Sequence, residues 1–86
     1  MNINQLSKII KDKLLKDILI EKYDLIDNSY LHKGHKGNEQ GKYHIKLIIS
    51  SNKLKTLNRL EANKRIYRIL ENEIKLYIHS IQIEFI

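Results

Sequence analysis

The chain has 86 residues, 42% of them apolar, with three glycines and neither proline nor cysteine, a composition suited to one small domain around one core. Without cysteine it builds no disulfide, no thiolate nucleophile and no thiolate metal site of its own. Sixteen basic and ten acidic residues leave a net charge of +6, a tilt towards acidic partners that is scattered along the chain and not gathered in blocks.

The spacing of Ile3, Leu6, Ile9, Ile10, Leu14 and Ile18 predicts an amphipathic helix over about residues 4–20, capped by Asn2 or Asn4. This stretch lacks arginine and carries Asp12 and Asp17; no transit or secretory segment is legible, and a cytoplasmic protein is expected. The longest apolar runs, such as Ile18-Leu19-Ile20 and Leu47-Ile48-Ile49, fall far short of the roughly eighteen residues of a membrane span. A soluble protein is expected.

Tyr23, Leu25 and Asp27 alternate with Asp24 and Ile26 as a short strand. A hydrophilic loop then runs to about Lys42 and holds His32, His35 and all three glycines. From Tyr43 to Ser50 the alternation is clearest, with Tyr43, Ile45, Leu47 and Ile49 on one face and His44, Lys46, Ile48 and Ser50 on the other. Residues 51–53 are expected to turn. Leu57, Leu60, Ile66, Ile69, Leu70 and Ile74 then mark one helix or a short helix followed by a longer one, the phase shift between Leu60 and Ile66 favouring two pieces. A last strand, Tyr77 to Phe85, places His79 on the side of Ile81, Ile83 and Phe85.

The order α-β-β-α-α-β predicts an α+β sandwich, in which helices cover one face of a three-stranded mixed sheet and the whole chain, 1–86, forms one domain. That order resembles the second type of KH-like domain. The Gly34-His35-Lys36-Gly37 spacing does not extend the likeness to nucleic-acid binding, because a phosphate-clamping GxxG joins two helices and this one joins two strands.

More specifically, Asp27-Asn28-Ser29-Tyr30-Leu31-His32, Gly34-His35, Tyr43-His44-Ile45 in a strand ending at Ser50, Arg65-Ile66-Tyr67 with Leu70, and Ile78-His79-Ser80-Ile81 together resemble the BolA family over nearly the whole chain. Two departures stand out. The family's Phe-x-Gly after the second strand reads Leu54-Lys55-Thr56, and its Arg-His-Arg reads Ala62-Asn63-Lys64. The resemblance implies a non-catalytic adaptor that binds a monothiol glutaredoxin and shares a two-iron two-sulfur cluster with it, in cluster trafficking or iron regulation. It implies His32 and His79 as this chain's ligands, with His35 the alternative to His32. The partner's cysteine and a bound glutathione would supply the thiolates, and such mixed ligation raises a cluster's potential as in Rieske centres. Alone, the chain is expected to be a monomer with a mobile loop between its first two strands.

Read without the family, His32 and His35 are ordinary loop residues, His79 a histidine packed at a strand end, and His44 a structural or edge residue. A DNA-binding transcriptional regulator is the alternative function. Lys53, Lys55, Lys64, Arg65 and Arg68, with Arg59, gather on the turn and helices, and Lys64 and Arg68 share a face. Glu61, close to Lys64 and Arg65, and Glu71, close to Arg68, argue instead for a solvated surface of local pairs, and no aromatic stacking platform accompanies the charge. No nucleophile-and-base signature or phosphate loop points to an enzyme.

Overall fold

The computed structural model describes residues 2–29 and 42–86, so His32, His35 and the loop expected to be mobile lie outside the described residues. The first helix, α1, spans Ile3–Asp17 and opens with a capping box: the Asn2 side chain accepts from the Gln5 amide at 2.8 Å and the Gln5 side chain accepts from the Asn2 amide at 3.0 Å. Leu6, Ile10 and Leu14 form its fully buried stripe. The helix ends three residues before the sequence reading, because Ile18 is already extended yet still buries its side chain. The next carbonyl, Leu19, accepts from the Ser51 hydroxyl at 2.7 Å.

Two strands follow, β1 at Lys22–Asp27 and β2 at Tyr43–Ser50, paired antiparallel. Strand β3, Ile78–Phe85, lies parallel to β2 on its other side, giving the order β1-β2-β3. The registers set Tyr23, Ile49 and Phe85 in one row, and Leu25, Leu47 and Ile83 in the next. These rows form the core face and meet Leu6, Ile10 and Leu14 of α1.

Between β2 and β3 the expected turn is instead a single helical turn, α2 (Asn52–Lys55), capped by Ser51. Helix α3 (Arg59–Ile69) begins at an Asn58 cap, and α4 (Glu71–Tyr77) follows after Leu70, whose φ of −97° and ψ of 15° leave the helical region. The break therefore falls at Leu70 and not between Leu60 and Ile66. Ala62, Ile66 and Leu70 supply the buried stripe, whereas Leu57 and Leu60, read as part of it, are exposed. Glu73 of α4 is buried against α1, where Lys13 Nζ stands 2.8 Å from each of its carboxylate oxygens. Tyr23 ties β1 to α1, its hydroxyl donating to the Ser7 carbonyl at 3.1 Å with the Ser7 hydroxyl at 3.2 Å.

Candidate functional site

The outer face of the sheet, away from the core rows, carries His44, Lys46, Ile48 and Ser50 from β2 and Ser80, Gln82 and Glu84 from β3. Strict alternation in β3 would bury His79 with Ile81 and leave Ile78 outside. The register contradicts that reading. Tyr43 pairs with Ile78 and His44 with Ser80, so His79 is one extra residue bulged out of the ladder. Ile78 consequently enters the core, and His79 and Ser80 are both exposed.

The bulge brings the two strand-opening histidines together. His79 Nδ1 lies 3.1 Å from His44 Nε2, and His44 Nδ1 lies 2.7 Å from Ser80 Oγ. The rings stand edge to face, at an interplanar angle of 83° with centroids 4.6 Å apart. His44 is 4% exposed, and its backbone is also secured: its amide donates to Ser29 Oγ at 3.1 Å and its carbonyl accepts from the Asn28 amide at 2.7 Å. β2 is the central strand, so His44 is not an edge residue. His79 differs in having one nitrogen engaged and the other, Nε2, without a partner among the described residues.

Of the predicted ligands, then, His79 is placed on an exposed surface with one nitrogen held, and His32 and its alternative His35 lie outside the described residues. Among the described residues no group of three or more His, Cys, Asp or Glu is arranged to hold a metal. Sequence reasoning missed the link between His44 and Ser80, although a signal existed in the histidine opening each of two strands; recognising it needed the bulge. A cavity of ≈ 150 Å³, lined by Ile49, Leu54, Leu57 and Phe85 among others, lies at the opposite end of β2 and does not include the histidines.

The basic residues separate into two kinds. Lys53 and Lys55 of α2 and Lys64 and Arg68 of α3 are exposed. Arg65 instead reaches back to Asp17 of α1, at 3.7 Å. The local pairs expected from Glu61 and Glu71 do not form. Asn63, which stands where the resemblance expects a histidine, turns its side-chain amide onto the Arg59 carbonyl at 3.0 Å. Among the described residues no helix is long and apolar enough to cross a membrane.

Fold and site together define a small α+β protein with helices on one face of a mixed sheet and a histidine pair on the other. Residues 14–86 match the family described as BolA-like protein, and the chain belongs to that family, whose members are non-catalytic. Over 76 residues the chain is 28% identical to the DNA-binding transcriptional regulator BolA of Haemophilus influenzae, covering 88% of this chain and 71% of that protein. A BolA-like protein of Dictyostelium discoideum is 35% identical over 75 residues, covering 86% and 63% respectively. Among solved structures, the BolA domain of SufE1 from Arabidopsis thaliana superposes with a TM-score of 0.78 at 25% identity, over 99% of this chain and 92% of that one. BolA1 from the same plant gives 0.77 at 20% identity, over 93% and 88%, a likeness of fold.

Proposed function

We propose that this chain is an iron-sulfur adaptor that binds a monothiol glutaredoxin and contributes His79 as a nitrogen ligand to a two-iron two-sulfur cluster held between them. The observation that carries the reading is the state of His79: exposed, fixed through Nδ1, and with Nε2 free of partners among the described residues. A metal-binding imidazole needs one nitrogen open and gains orientation when the other is hydrogen-bonded. His32 is the proposed second ligand, with His35 its alternative, on the family resemblance. A chain without cysteine offers only nitrogen and oxygen donors, so the partner's cysteine and glutathione complete the set. Such a cluster supplies one-electron redox chemistry and transferable iron and sulfur. This chain's own part is to hold the orientation of the His79 ring through its contact with His44.

The test is an anaerobic titration of cluster-loaded monothiol glutaredoxin and glutathione with this chain, followed by visible absorption and circular dichroism. A spectral change saturating at about one chain per glutaredoxin, weakened by His32→Ala and by His79→Ala, is expected. No change with the intact chain would refute the reading.

A second reading, a DNA-binding regulator, draws on the similarity to the Haemophilus influenzae protein of that name and on Lys64 and Arg68, four residues apart on α3, exposed and without an ion pair among the described residues. Lys53 and Lys55 would extend that surface. It requires duplex affinity that falls steeply with salt, and that Lys64→Ala and Arg68→Ala weaken; a flat salt response would dismiss it.

A further inference from the structure

We infer that His44, anchored through Ser80, is a positioning residue that holds His79 in the tautomer whose outward Nε2 carries a lone pair, His44 itself not being a ligand. The inference rests on the reading of His79 as a ligand and adds what makes it competent.

A hydrogen bond between two imidazole nitrogens holds one proton, so the chain Ser80 Oγ, His44 Nδ1, His44 Nε2, His79 Nδ1 has two self-consistent arrangements. In one, the Ser80 hydroxyl donates to His44 Nδ1, His44 Nε2–H donates to His79 Nδ1, and His79 carries its proton on Nε2. That ring offers the outside a donor and cannot bind a metal. In the other, His79 Nδ1–H donates to His44 Nε2, and His44 Nδ1–H donates to Ser80 Oγ. The exposed Ser80 hydroxyl then gives its own proton to water, and Nε2 of His79 presents its lone pair.

Only the second arrangement suits a ligand, and it needs an acceptor at the position of His44 Nε2. His44 is well built for that task. It is 4% exposed, so water does not compete for the acceptor, and its backbone amide and carbonyl are both bonded, so the ring cannot drift from the bulge. Burial also keeps His44 Nε2 from outside ligands, because that nitrogen is covered by the His79 ring at 3.1 Å. The bulge at His79 is what brings its Nδ1 within reach.

The first readout needs no cluster: long-range nitrogen-proton correlation spectra of the histidine-labelled chain alone, at a pH where both rings are neutral. The expected result is His79 as the Nδ1–H tautomer in the intact chain and in His44→Gln, whose side-chain oxygen can stand where Nε2 stood. His44→Leu and His44→Phe, which remove the acceptor at Nε2, should move the population towards Nε2–H. An Nε2–H tautomer for His79 in the intact chain would overturn the inference, and so would an unchanged tautomer in both His44→Leu and His44→Phe. Amide spectra establish that each variant is folded; His44→Phe, which keeps a ring in the buried site, decides the matter if His44→Leu is not.

The second readout is apparent affinity for cluster-loaded glutaredoxin, expected to weaken about 10-fold in His44→Leu, with His44→Gln within about threefold of the intact chain. Full binding by His44→Leu would overturn the positioning role while leaving His79 as ligand. The expected tautomers without any response to the loaded glutaredoxin would instead uphold the proton arrangement and refute the adaptor reading.

Discussion

Ile78→Ala tests the bulge that aims His79. By strict alternation Ile78 would share the outer face with Ser80, Gln82 and Glu84, and its truncation would change stability by no more than about 0.5 kcal/mol. The register instead puts Ile78 opposite Tyr43 with the extra residue after it, and Ile78 is 3% exposed within the core. Truncation removes roughly three buried carbon groups at about 0.8 kcal/mol each. The cavity left behind brings the expected loss to about 3 kcal/mol. His79→Ala, on the exposed side of the bulge, deletes one hydrogen bond to His44 and should cost about 1 kcal/mol. Urea unfolding followed by far-ultraviolet circular dichroism measures both. Equal small losses for the two variants would mean that Ile78 is not a core residue, and a loss for His79→Ala larger than that for Ile78→Ala would mean that His79 faces the core in its place.

Three further expectations concern the frame behind the site. Lys13→Met strands the Glu73 carboxylate, whose side chain is 8% exposed, and should cost about 2 kcal/mol, below the range for fully buried pairs because Lys13 is itself partly solvated; the double variant Lys13→Met/Glu73→Gln should regain part of this in the same urea assay. Ser51→Ala removes both the α2 cap and the bond to the Leu19 carbonyl, about 2 kcal/mol together, read as a lowered thermal midpoint. Burial holds the Tyr23 hydroxyl above its ordinary pKa, with Asp24 adding to the rise and the Ser7 hydrogen bond opposing it. The folded chain therefore keeps that proton longer than the unfolded chain, and the contribution to stability is complete below about pH 10 and declines as pH rises towards the folded value. Stability of the intact chain should fall more steeply over that alkaline window than that of Tyr23→Phe, and parallel slopes would contradict the assignment.

What the sequence disclosed and what it hid follow from the range of the forces involved. β2 was legible because Tyr43, Ile45, Leu47 and Ile49 fall at every second position, and its central place buries the last three of them. The capping residue of α1 was legible because Asn2 and Gln5 interact locally. The end of α1 was not, since Ile18 is apolar and buried in either conformation and its extension is completed by Ser51, far along the chain. Leu57 and Leu60 fit a helical stripe by spacing, but α3 starts at Arg59 and turns Ala62 and Ile66 inward instead. At the site, His79 was marked by family resemblance. The His44 and Ser80 arrangement was hidden because it depends on a parallel pairing with one unpaired residue, which no local pattern in Ile78 to Phe85 encodes.

The adaptor reading stands or falls on whether His79 binds iron through nitrogen. The most direct measurement is pulsed electron paramagnetic resonance of the reduced cluster complex with monothiol glutaredoxin, using this chain labelled with nitrogen-15 histidine and the partner unlabelled. Strong histidine-nitrogen couplings from this chain, one of them lost in His79→Ala, are predicted. A complex that forms with no strong coupling to labelled histidine, or whose couplings are untouched by His79→Ala, would contradict the account.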